Sequence, residues 1–91
     1  MPGTLNKLQE LMVITMEECG ELAQRCSKVI RKFETIEEVT EDQRIKLLEE
    51  VGDVQCLIDL MVDCGLLTKA EIDARIDTKR DKLKIWSKLI K

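Results

Sequence analysis

Residues 5–32 read Leu-Asn-Lys-Leu-Gln-Glu-Leu-Met-Val-Ile-Thr-Met-Glu-Glu-Cys-Gly-Glu-Leu-Ala-Gln-Arg-Cys-Ser-Lys-Val-Ile-Arg-Lys. Apolar or small residues recur every three or four positions, at Leu5, Leu8, Met12, Thr15/Met16, Cys19, Leu22/Ala23, Cys26 and Ile30. That is the period of an amphipathic helix, and the stripe is expected to face a core. Pro2-Gly3-Thr4 precedes it, with Thr4 a candidate N-cap. No breaker interrupts the pattern before residue 32, so one long helix is expected over 5–32.

Outward from this stretch, the chain continues in the same manner. Glu34 to Asp42 is acidic and poorly periodic, and Thr35 with Glu38 suits a short helical turn. Thr40 with Gln43 reads as the start of a second long helix. Leu47, Leu48, Val51, Val54, Leu57, Ile58, Met61 and Val62 are its apolar positions, and Gly65 is a natural stop. Thr68-Lys-Ala-Glu71 is a capping box for a third helix, expected to run to the C-terminus. Its stripe is Ile72, Ile76, Leu83, Trp86 and Ile90. No alternating run predicts a strand, and short connections between long helices favour an all-α, antiparallel bundle of three helices with a short one between the first two.

Composition bounds the rest. Ninety-one residues suit one domain, 1–91, near the small end for a self-sufficient core, so a marginal monomer or an obligate oligomer is expected. Hydrophobic residues make up 44% and charged residues 36%, which excludes a disordered chain. A net charge of −3 gives no electrostatic reason to bind nucleic acid. Cys19, Cys26, Cys56 and Cys64 form no Cys-x-x-Cys pair and no histidine accompanies them, so a zinc site is not expected. They read as small core hydrophobes in a reducing cytoplasm. No signal peptide and no membrane span are expected.

Chemistry gathers in two copies of one phrase, Glu17-Glu18-Cys19-Gly20-Glu21-Leu22 and Glu49-Glu50-Val51-Gly52-Asp53-Val54. Residues three apart share a helix face, so Glu18 pairs with Glu21 and Glu50 with Asp53. At 100° per residue Glu50 falls inside the apolar arc of its helix, Asp53 at its edge, and Glu18 borders the first helix's stripe beside Leu22. Carboxylates turned toward a core are paired, protonated or bound to a cation. A hard divalent cation such as Mg²⁺ suits four carboxylates from two helices. Isolated pairs of acids are usually just solvated charges; two matched clusters edging the core are not.

The third helix offers positive charge. Lys79 stands mid-stripe between Ile76 and Leu83, with Arg75, Lys82 and Trp86 on its side and Arg80 at the other edge. Lys79 reads equally as an ion pair and as a phosphate contact. Trp86 reads as a core aromatic or as a stacking face for a base.

Glu-Glu-x-x-Glu, a spacer of 28 residues, then Glu-x-x-Asp resembles the signature of the MazG-like all-α nucleoside triphosphate pyrophosphohydrolases. The resemblance spans nearly the whole chain. It implies a helical domain that assembles as a homodimer or homotetramer. It further implies Mg²⁺-dependent hydrolysis of (d)NTPs to (d)NMP and pyrophosphate, with Mn²⁺ a substitute. The resemblance makes Glu18, Glu21, Glu50 and Asp53 the metal ligands and gives Glu17 a supporting role, as positioner of water or proton acceptor. Basic residues of the later helix would hold phosphates, Lys79 first and Arg80 second. The family's basic pair four apart is not reproduced, since Leu83 follows Lys79, which leaves Lys82 or Lys84 as substitutes. Phosphoribosyl-ATP pyrophosphohydrolase is an alternative within the same fold. A non-catalytic helical interaction module, its acids in interhelical ion pairs, is the alternative from another class. Gly20 and Gly52 cost helix stability and are read as marks of close helix contacts.

Overall fold

The computed structural model describes residues 4–90, so the expected start at Pro2-Gly3 lies outside the described residues. The elements in order are α1 (Lys7–Lys32), a single 3₁₀ turn (Ile36–Glu38), α2 (Glu41–Asp63) and α3 (Lys69–Trp86). There is no strand among the described residues, and the all-α class holds. Two compact units divide the chain, Met1–Leu60 and Met61–Lys91.

Each helix end has a local cause. The α1 cap is Asn6 rather than Thr4. Its side chain accepts from the Gln9 N–H at 2.8 Å, and the Gln9 side chain accepts from the Asn6 N–H at 3.0 Å. Only Asn6 has an amide-bearing residue three positions on to close that box; Thr4 has Lys7 there. Thr35 precedes the 3₁₀ turn without a side-chain cap, and the Glu34 N–H donates to Glu38 Oε2 instead. Thr40 Oγ1 accepts from the Gln43 N–H at 3.4 Å at the start of α2. Gly65 ends α2 with φ 81°, a left-handed turn in which the Leu66 N–H donates to the Met61 carbonyl. The Thr68–Glu71 box opens α3. α3 stops at Trp86, short of the C-terminus. The Ser87 hydroxyl donates to the Leu83 carbonyl at 2.7 Å and accepts from the Leu89 N–H, which gives the helix end its partners.

In the first unit, Arg25 Nη1 donates to Gln43 Oε1 at 3.4 Å, while Glu18 and Glu21 meet Glu50 and Asp53. Falling numbers on α1 meet rising numbers on α2, so the two helices are antiparallel. The line of α1 turned to α2 is Leu11, Thr15, Glu18, Leu22, Arg25 and Val29, all half-buried. Leu57 is the only buried apolar residue among the described ones, and Gln43 the only buried polar one.

Two expectations are overturned by this register. The cysteines are exposed rather than core. The sequence stripe fused two neighbouring lines, Thr15 with Met16 and Leu22 with Ala23. The helix turns the more polar line inward, where Arg25 meets Gln43 and Glu18 meets the α2 carboxylates. Cys19 and Cys26 belong to the other line. Gly20 and Gly52 do not mark close contacts either, since a Cβ at either position would meet nothing within 4 Å.

Candidate metal centre

Four carboxylates converge in the first unit. Glu18 and Glu50 lie on the facing lines of α1 and α2 and are half-buried; Glu21 and Asp53, three residues on, stand at one edge and are exposed. One oxygen from each lies within 4.8 Å of the others. Opposite ligands of an octahedral Mg²⁺ are about 4.2 Å apart, given Mg–O distances of about 2.1 Å. The cluster is therefore nearly as tight as a single hard cation requires.

Its electrostatics are unfavourable without a cation. Partial burial raises the Glu18 carboxyl above its ordinary value, and the charges of Glu21, Asp53 and Glu50 push it the same way. Glu50 is raised by burial first, then by Glu21 and Asp53, with Arg25 opposing. The contacts Glu18–Asp53 and Glu50–Glu21 become hydrogen bonds only when one member takes up a proton, because ionised carboxylates have no donor. Glu18 Oε2 and Glu50 Oε2 are buried without a hydrogen-bond partner. Orphaned buried oxygens, all hard, are the donor set that Mg²⁺ or Mn²⁺ takes, so these residues fit the ion that the sequence motif implies.

Among the described residues the ion pairs lie elsewhere: Glu41–Arg44, Asp42–Lys46, Lys69–Asp73 and Asp81–Lys84. None of the four acids is among them. Glu17 is exposed and stands outside the cluster of four. Arg25, missed in the sequence reading, is the positive charge that opposes the shift of Glu50. Its Nε is buried without a partner while Nη1 reaches Gln43. Its signal was available, since it follows Glu18 by seven residues on the same helix line.

In the second unit, Lys79 and Arg80 line a shallow hollow with Ile76, Leu83, Leu89 and Ile90. The Lys79 ammonium lies 4.9 Å from the centroid of the Trp86 ring. Trp86 is 63% exposed, which removes its reading as a core aromatic. The ring instead offers its face to a cation and to solvent. Lys82 is exposed, and Lys84 is held by Asp81 at 3.3 Å. No helix among the described residues is long and apolar enough to cross a membrane. Comparison with known proteins finds no family model, no curated protein and no solved structure that matches the chain.

Proposed function

We propose that this protein is a Mg²⁺-dependent nucleoside triphosphate pyrophosphohydrolase, cleaving (d)NTPs to (d)NMP and pyrophosphate as a homodimer or homotetramer. The observation that supports it is the pair of orphaned oxygens on Glu18 and Glu50, inside a cluster of four carboxylates that has no ion-pair partner among the described residues. The same observation weighs against a scaffold whose acids serve interhelical ion pairs. A cytoplasmic setting, where thiols stay reduced, suits four free and exposed cysteines.

Bound at the four acids, Mg²⁺ supplies charge neutralisation for the triphosphate and a more acidic water. The residues supply the rest. Glu18 and Glu50 fix the depth of the site, because their backbones sit on the packed lines of α1 and α2. Glu21 and Asp53 stand at the exposed edge, where a polyphosphate arrives. Glu17 is exposed about 40° from Glu21 around α1 and serves as the proton acceptor. Lys79, Arg80 and Lys82 of the second unit are assigned to phosphate binding, by their charge alone. Trp86 is assigned to base stacking.

The test is pyrophosphate release from a panel of standard and modified (d)NTPs, with phosphoribosyl-ATP included, in Mg²⁺ and in EDTA. Metal-dependent release with monophosphate as co-product is expected, and Glu50→Gln is expected to abolish it with helicity intact. Silence across the panel together with no thermal shift on adding Mg²⁺ would overturn the proposal.

A further inference from the structure

The end of the second unit gathers positive charge and exposed apolar side chains in one place. Residues 79–90 hold five bases, Lys79, Arg80, Lys82, Lys84 and Lys88, against one acid, Asp81. The rest of the chain holds ten bases and seventeen acids, so charge is segregated along the sequence rather than spread. Asp81 is itself held by Lys84 at 3.3 Å. In the same segment Ile85 is 86% exposed, Leu89 79% and Trp86 63%. One exposed apolar side chain is ordinary; three within five residues make a patch, and a patch marks a contact surface.

At 100° per residue the order around the end of α3 is Ile85, Lys82, Trp86, Lys79, Leu83, Arg80. Apolar side chains and cations therefore alternate across one face. Two contacts join its members. The Lys79 ammonium lies 4.9 Å from the centroid of the Trp86 ring, and Lys79 and Arg80 share a hollow with Leu83 and Leu89. Asp81 and Lys84 fall on the remaining flank. We infer that this face, the end of α3 with residues 87–90, is a docking surface for an anionic lipid bilayer, on which the second unit rests without crossing it.

Three features select a bilayer among anionic partners. The apolar members include Ile85 and Leu89, which gain from hydrocarbon and offer no plane to a base. Trp86 is the single ring, so the segment lacks the row of stacking faces that single-stranded nucleic acid uses. Tryptophan and lysine are also the side chains that settle where hydrocarbon meets headgroups, the first with an apolar body and a polar N–H, the second with an apolar stem and a charged tip. Four of the five bases are lysines, compact charges that suit a diffuse anionic surface better than bidentate recognition of one group. The acidic remainder of the chain offers such a surface no attraction, which confines the contact to this segment. The inference does not rest on the hydrolase reading. Lys79, Arg80, Lys82 and Trp86 are common to both, but Ile85, Lys88 and Leu89 belong to this surface alone.

Co-sedimentation with vesicles, in EDTA and without nucleotide, tests it. Phosphatidylcholine vesicles rich in phosphatidylserine are compared with phosphatidylcholine alone, and Ile85→Asp/Leu89→Asp is the variant. The expected result is half-binding to the anionic vesicles at on the order of 0.1 mM lipid, the strength of a single myristoyl chain. Binding should weaken several-fold in about 1 M salt, where the Debye length shrinks to about 3 Å. Phosphatidylcholine alone should bind little, and the variant about tenfold less than the wild type with helical circular dichroism retained. No pelleting at about 1 mM anionic lipid overturns the inference. Equal binding to the neutral vesicles, a folded variant that binds unchanged, or tighter binding to a single-stranded oligonucleotide than to the anionic vesicles overturns it as well. Hydrogen exchange of the wild type on vesicles covers the case of a variant that does not fold. Amide protection gained at 83–90 supports the surface, whereas protection gained only outside it overturns the assignment.

Discussion

Gly52→Ala should make this protein more stable. Gly52 sits mid-helix in α2, its φ is not positive, and a Cβ there meets no atom within 4 Å. Alanine therefore enters without strain. In a helix interior, glycine is less favourable than alanine by about 0.8–1.0 kcal/mol, chiefly through the freedom it retains when unfolded. Gly20 in α1 meets the same conditions. The two lie on different helices and share no partner, so the double variant should gain about 2 kcal/mol. For a domain of this size each kcal/mol corresponds to about 4–8 °C in Tm. Gly65→Ala supplies the opposite sign. Its φ of 81° costs an L-residue about 1–2 kcal/mol, although a Cβ there also meets nothing. The assay is urea and thermal unfolding followed by circular dichroism, in EDTA at fixed protein concentration. An unchanged m-value would show that the gain is stability rather than a change in compactness. A loss at Gly20 or Gly52 would refute the reasoning, and would mean that backbone packs closely against the outer faces of these helices.

Other outcomes follow from the same geometry. In the folded, metal-free chain Glu18 and Glu50 keep protons that an unfolded chain releases at the ordinary value of 4.5. The folded state then binds more protons, so these two groups make stability fall as pH rises from 4.5 through their raised values. Glu41 works in reverse, since the Arg44 hydrogen bond and charge lower it and its contribution is lost as pH falls through that lowered value. Urea midpoints between pH 4.5 and 8 in EDTA should therefore decline for the wild type and flatten for Glu18→Gln/Glu50→Gln; parallel curves would remove the two groups from the linkage. Leu57→Ala should cost about 2–3 kcal/mol, the lower part of the usual range because its half-buried surroundings can relax; a loss below about 1 kcal/mol would mean the α1–α2 contact is not anchored there. Thr68→Ala should cost about 1 kcal/mol by opening the α3 capping box, read as a lower midpoint in urea; an unchanged midpoint would mean the box does not form.

Helix number and most boundaries could be read from the sequence because they rest on local signals. The Thr68–Glu71 box, the Thr40–Gln43 start and the left-handed Gly65 each act over four residues or fewer. Thr4 lost to Asn6 for an equally local reason, the identity of the residue three positions on. What could not be read was the rotation of α1 about its axis. Two lines one residue apart, Thr15-Glu18-Leu22 and Met16-Cys19-Ala23, both satisfy the helical period. Hydrophobicity favoured the second, yet the first faces α2. The choice is made by pairing across helices, which a single helix's pattern does not contain. The acid cluster was legible because its signal is a repeat rather than a stripe, and either half predicts the other's spacing. Arg25 escaped notice because its signal, a place seven residues after Glu18 on the same helix line, is not a repeat.

Trp86 is the chain's single tryptophan, and it carries the Lys79 ammonium over its face. The molecule is therefore its own fluorophore, with a cation 4.9 Å from the ring centroid. Any anion that draws Lys79 away from the ring changes the emission of the unlabelled protein. Titrating phosphate or pyrophosphate in a cuvette thus reports directly on what that lysine prefers.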